Sequence, residues 1–92
     1  MGEIRISKLP SDYKPGELVF RSQEFVVPVP FGWTRDARAI FALMTRKDET
    51  SVIATISAVD GAFRVVKRLE RGRPGGLSVS PEGRFIAYDP PV

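Results

Sequence analysis

Two ten-residue stretches of this chain repeat each other 46 residues apart, and no other feature restricts the fold as strongly. Residues 79–88 lie over residues 33–42, so that Thr34 meets Ser80, Asp36 meets Glu82, Arg38 meets Arg84 and Ile40 meets Ile86. In the later copy Ser80-Pro81-Glu82-Gly83 reads as a tight turn. Pro81 presets φ at the first corner, and Gly83 tolerates a positive φ at the end. Phe85-Ile86-Ala87-Tyr88 then continues as a short β-prone run. In a repeat of this kind each copy is one supersecondary unit that buries its apolar faces against its neighbours.

The 92 residues suffice for one small domain, or for a piece of a larger one. A hydrophobic share of 42% is that of a globular chain. There is no cysteine and no histidine. Disulfides, thiolate metal sites and cysteine nucleophiles are thereby excluded, along with the commonest general base and neutral metal ligand. Zinc chemistry and a self-contained histidine-based hydrolytic triad fall outside what these residues can do. No catalytic residue, metal site or cofactor is expected. The net charge of +3 permits an acidic partner, nucleic acid or anionic lipid without requiring one. No apolar run is long enough for a membrane-spanning helix, and the first residues show no signal-peptide pattern.

Along the chain, Ile4-Arg5-Ile6-Ser7 alternates with the period of a half-buried strand. Residues 9–16, with two prolines and a glycine, read as a loop, and Leu18-Val19-Phe20 as a second strand. Residues 25–30 are β-prone, but Pro28 and Pro30 lack an N–H and suit a connection or a strand edge. A short strand at 31–34 then leads into the first copy of the turn. Ala37, Ile40, Phe41 and Met44 fall at helical spacing. Their repeat partner follows a Pro-Glu-Gly turn, and shared structure between copies makes 39–44 a strand. Residues 45–50 form a polar turn and 52–59 a strand. Asp60-Gly61 is the strongest hairpin signal, with the composition of a type I′ turn. The return strand is 63–69, with Phe63, Val65 and Leu69 on one face and Lys67 interrupting it. Residues 70–76 are a glycine-rich connector. They lack the Lys-Ser/Thr of a phosphate-binding loop.

The order strand, turn, strand, polar turn, strand, Asp-Gly, strand resembles the TolB-like propeller repeat, a relative of WD-repeat blades. The residues that carry the resemblance are Trp33-Thr34-Arg35-Asp36-Ala37-Arg38, Ser80-Pro81-Glu82-Gly83-Arg84 with Phe85-Ile86-Ala87-Tyr88, and Val59-Asp60-Gly61. The first copy departs from the pattern at Arg35 and Ala37, where Pro and Gly are usual. The resemblance implies an all-β chain of antiparallel four-stranded blades. Residues 31–70 would be one complete blade, 1–30 the outer strands of a split blade, and 71–92 its inner strands. Propellers have about 4–8 blades. Two blades do not close a ring, so the chain is expected to be a piece of a longer propeller or to self-associate, three copies giving six blades.

The implied function is that of a non-catalytic protein-interaction scaffold. The alternatives are the substrate-gating propeller of a prolyl-oligopeptidase-type peptidase and a small basic β-barrel that binds nucleic acid. The family weakly suggests a bacterial extracytoplasmic setting, which the sequence itself does not specify. Trp33, Asp36, Arg38, Asp60, Gly61, Ser80, Pro81, Glu82, Gly83 and Arg84 are expected to serve the repeat. Asp36 and Glu82 are turn acids that accept backbone N–H bonds rather than metal ligands. Trp33 is expected to pack between blades. In a four-stranded meander the second and fourth connections leave from one end. Arg46, Lys47, Arg71 and Arg73 would share that end as a docking surface for an acidic partner or phosphates. Aromatic interleaving is missing there, which counts against single-stranded nucleic acid.

Overall fold

The computed structural model describes residues 2–9, 16–69 and 72–89. It holds eight strands and, among the described residues, no helix. The strands are β1 (Gly2–Ile6), β2 (Glu17–Ser22), β3 (Phe25–Trp33), β4 (Ala39–Arg46), β5 (Ser51–Ser57), β6 (Phe63–Leu69), β7 (Leu77–Val79) and β8 (Ile86–Tyr88). The helical spacing of Ala37, Ile40, Phe41 and Met44 is overridden: β4 is a strand whose residues 40–45 are all buried. Burial on both faces removes the usual alternation, which is how a sheet's interior strand acquires a helix-like pattern.

Strands β3-β4-β5-β6 form one antiparallel four-stranded sheet in sequence order, flanked by the antiparallel hairpins β1–β2 and β7–β8. The central sheet starts at Phe25, earlier than the short strand expected at 31–34. Pro28 and Pro30 pair with Met44 and Ala42 on the edge strand, where a missing N–H leaves no interior ladder broken. The register shifts twice along β3.

Each face of the central sheet is covered by one hairpin. Ile40, Ala42, Met44, Val52, Ala54 and Ile56 cluster with Ile4 and Phe20 from β1–β2 and with Phe25. Leu43, Ile53 and Leu69 cluster on the other face with Leu77, Ile86 and Tyr88 from β7–β8 and with Phe31. In β6 a bulge passes over Val66, since Ile53 pairs with Lys67 while Ala54 pairs with Val65. The extra residue reverses the alternation, so Val65 packs into the first cluster and Leu69 into the second. The single face expected for Phe63, Val65 and Leu69 is therefore divided.

The flanking hairpins copy the central sheet in all but one of their pairs. Gly2↔Ser22, Glu3↔Arg21, Ile4↔Phe20, Arg5↔Leu18 and Ile6↔Glu17 have the pattern of Ser51↔Leu69, Val52↔Arg68, Ile53↔Lys67, Ala54↔Val65 and Thr55↔Arg64. The bulge recurs at the same step, passing over Val19 in one and Val66 in the other. At the other end Ser78↔Ala87 and Val79↔Ile86 copy Gly32↔Phe41 and Trp33↔Ile40, and the third pair departs, Leu77↔Tyr88 lacking the bulge over Phe31 that sets Ala42 against Pro30. The faces also correspond. Ile4 points to the central sheet as its counterpart Ile53 points to β7–β8, and Ile86 packs as its counterpart Ile40 does. The three layers thus stack head to tail, each offering the same face to the next. A Cβ on Gly32 would lie 2.5 Å from Val79 Cγ1, so this glycine is what lets β7 approach β3.

Candidate interaction surface

The repeated turns share their hydrogen bonds. Ala37 N–H donates to Thr34 O at 2.9 Å and Gly83 N–H to Ser80 O at 2.8 Å. Thr34 N–H donates to Ala39 O and Ser80 N–H to Phe85 O, both at 2.9 Å. The hydroxyls of Thr34 and Ser80 accept from the N–H groups of Ala39 and Phe85 at 3.1 and 3.0 Å. Ala37 takes φ 59° where Gly83 takes 74°.

The turn acids differ between copies. Asp36 Oδ1 accepts from Thr34 Oγ1 at 2.8 Å and Arg38 N–H at 3.0 Å. The Thr34 hydroxyl, then the Arg38 amide, hold its carboxyl below the ordinary Asp value. In the second copy Ser80 Oγ itself takes the Arg84 N–H at 3.2 Å, and Glu82 is exposed. Pro81 is likewise exposed, and Arg84 lies over the Phe85 ring at 5.7 Å. Arg38 is exposed too, while its carbonyl accepts the Ala58 N–H at 2.8 Å.

At Asp60-Gly61 only Gly61 has positive φ, so the expected type I′ turn is replaced by a longer connection between Ser57 and Phe63. Gly61 N–H donates to Ser57 O at 3.0 Å, and Asp60 Oδ1 accepts from Ala62 N–H at 3.0 Å. That amide, followed by the Ser57 hydroxyl, lowers the Asp60 pKa. Trp33 is 47% exposed and, with Ile4, Ile6 and Ile40, lines a cavity of about 280 Å³.

The basic residues gather where the β4–β5 turn meets the connection into β7. Arg46, Lys47 and Arg73 line one cavity of about 420 Å³ with Val26, Thr45, Glu49 and Gly72. Arg71 lies outside the described residues. Gly72 N–H donates to Glu49 O at 3.1 Å, and Ser51 Oγ donates to Gly72 O at 2.9 Å. Ser51 Oγ is also 3.0 Å from Thr45 Oγ1, so a buried hydroxyl pair ties the two loops together. Arg46 is held by Glu24 at 2.7 Å and sits 4.8 Å above the Phe25 ring. Asp48 bonds inward to Thr50 Oγ1 at 2.6 Å, which lowers its pKa ahead of the Thr50 amide. Among the described residues lining the cavity, Lys47 and Arg73 are exposed cations facing the single acid Glu49. No group of three or more metal-ligating side chains occurs among the described residues. The loop-to-loop bonds involve a glycine and two small hydroxyl residues, which gave no sequence signal of long-range pairing.

Fold and surface together define a small all-β chain with one four-stranded antiparallel sheet at its centre. Comparison with protein-family models, curated proteins and solved structures gave no match.

Proposed function

We propose that this chain is a non-catalytic propeller-type repeat module, resembling TolB-like blades, that acts as a protein-interaction scaffold. The observation that carries the reading is the recurrence of the β5–β6 register in β1–β2, bulge included, with the same face turned to the next layer. A two-layer sandwich has no reason to repeat its bulge, whereas stacked copies of one unit do. The side chains of Asp36, Asp48 and Asp60 are spent on their own turns, which supports a structural role for these acids.

The docking edge is the end that carries Lys47 and Arg73, and its partner is an acidic segment of another protein. Complementary charge would raise the association rate and make binding salt-dependent. The test is fluorescence anisotropy with a labelled Glu/Asp-rich peptide. Binding should weaken as salt rises and fall by about tenfold in Lys47→Glu/Arg73→Glu. Equal affinity for both proteins would overturn the assignment.

A further inference from the structure

The two flanking hairpins are complementary halves of the sheet that lies between them. β7–β8 reproduces two pairings of its first two strands, Ser78↔Ala87 and Val79↔Ile86, and β1–β2 reproduces those of its last two, bulge included. Among the described residues, β8 pairs only with β7, and β1 pairs only with β2. Each therefore leaves one edge free to pair, as edge strands do. The two halves cannot join within one molecule, because they cover opposite faces of the central sheet. At about 10 Å between packed sheets they are separated by roughly 20 Å.

We propose that β8 of one chain pairs antiparallel with β1 of a second copy, completing a four-stranded sheet in the order β7, β8, β1, β2. This rests on the propeller-type reading above and adds a contact between copies, apart from the Lys47–Arg73 end. The register follows from β4–β5, where Phe41 pairs with Thr55 and Ala42 with Ala54. Carried over the repeat, Ala87 pairs with Ile6 of the second copy, Ile86 with Ser7 and Tyr88 with Arg5. The faces agree. Ala87 is exposed, on the face that Ile6 shares, and Ile6 packs against its own central sheet. The contact is head to tail, the kind that forms a ring when its rotation closes, and two to four copies would then give about 4–8 blades.

Across the contact the outer strands meet through charged side chains. Within the chain, Val52 and Ala54 share a cluster with Ile4 and Phe20. Their counterparts across the new contact are Glu3 and Arg5 of the second copy against Ile53 and Lys67. Glu3 arrives already paired with Arg5 at 2.9 Å and Arg21 at 3.2 Å, and faces Lys67, whose ammonium lies 5.8 Å over the Tyr88 ring. The outer half of the contact is polar and salt-sensitive, while its inner half is the apolar cluster of Leu77, Ile86 and Tyr88.

Engineered cysteine pairs test the register cleanly, since the chain contains no cysteine. Directly opposed strand residues bring their Cβ atoms within about 5 Å, close to what a disulfide spans. Ala87→Cys/Ile6→Cys should oxidise to covalent dimers and higher species on a non-reducing gel. Ala87→Cys/Arg5→Cys, one residue out of register, should give at least about fivefold less, because its second thiol points to the other face. Gly32→Cys/Val79→Cys reports the stacking inside one chain. The Gly32 Cβ position lies 3.8 Å from Val79 Cβ, so this pair should close as a monomer.

Monomeric closure of Gly32→Cys/Val79→Cys without intermolecular Ala87–Ile6 bonds would overturn the pairing and leave the stacked-module reading standing. Failure of Gly32→Cys/Val79→Cys to close would remove the stacking and the proposal with it. Equal yields from the two Ala87 variants would also overturn it, since random collision then explains the cross-links.

Discussion

The two faces of the central sheet are covered unequally. One face meets five- and six-residue strands, β1 and β2, and seals a cluster that includes Ile4, Phe20, Phe25, Met44 and Ile56. The other meets two three-residue strands, and its cluster among the described residues has the buried Leu43, Ile53 and Leu69 at its centre. The difference follows from what each hairpin copies. β1–β2 covers the β5–β6 side with apolar Ile4 and Phe20. On the opposite face their counterparts are Ile53, sealed by β7–β8, and Lys67, exposed with its ammonium 5.8 Å over the Tyr88 ring. One interface is covered by longer strands than the other.

The contrast can be broken first by truncation. Phe25 is fully buried, meets Phe63 edge-on at 5.9 Å and lies under Arg46. Phe25→Ala should cost about 3–5 kcal/mol in denaturant unfolding. Leu77→Ala, on the thinner face, should cost only about 1–2 kcal/mol, because the side chain is half-buried. Equal losses would remove the asymmetry.

The turns give a smaller, signed effect. Ala37→Gly should stabilise by about 1 kcal/mol by relieving a left-handed alanine, and Gly83→Ala should destabilise by a similar amount. Opposite signs at matched positions would sharpen the correspondence of the copies, and thermal melts suffice to read them. The smallest effect is in pH. Asp36, Asp48 and Asp60 have pKa values lowered by folding. Their contribution is complete above the unfolded value of about 3.9 and is lost as pH falls through the lower folded values. Melting temperature should hold from neutrality to about pH 5 and drop below about pH 4, with Asp36→Asn flattening part of the drop.

Much of the fold was legible because turns and alternation are local signals. β1, β2, β5, β6 and β8 were marked by alternating or β-prone runs, and the Ser80–Gly83 turn by Pro and Gly. The repeat corrected the helical spacing around Ile40, which a single-segment reading misassigns because β4 is buried on both faces. The bulge at Val66 was invisible, since no glycine or proline marks it, and it sends Leu69 to the face opposite Val65. The resemblance made residues 1–30 outer strands, but the residue-by-residue match of β1–β2 to β5–β6 was hidden. It lies in the register, while the side chains have diverged to pairs such as Phe20 and Lys67. At the candidate surface, strand order alone brought Arg46, Lys47 and Arg73 to one end. The Arg46–Glu24 pair and the Thr45–Ser51–Gly72 chain depend on where β3 begins and how the loop returns, which composition does not encode.

Head-to-tail stacking of the three layers is the central claim, and a nuclear Overhauser spectrum of the native chain tests it most directly. Cross-peaks should join the Val79 methyls to the Gly32 α-protons on one face, and Ile4 to the Ile40–Ala54 side on the other. Cross-peaks placing both hairpins on the same face of the central sheet would contradict it.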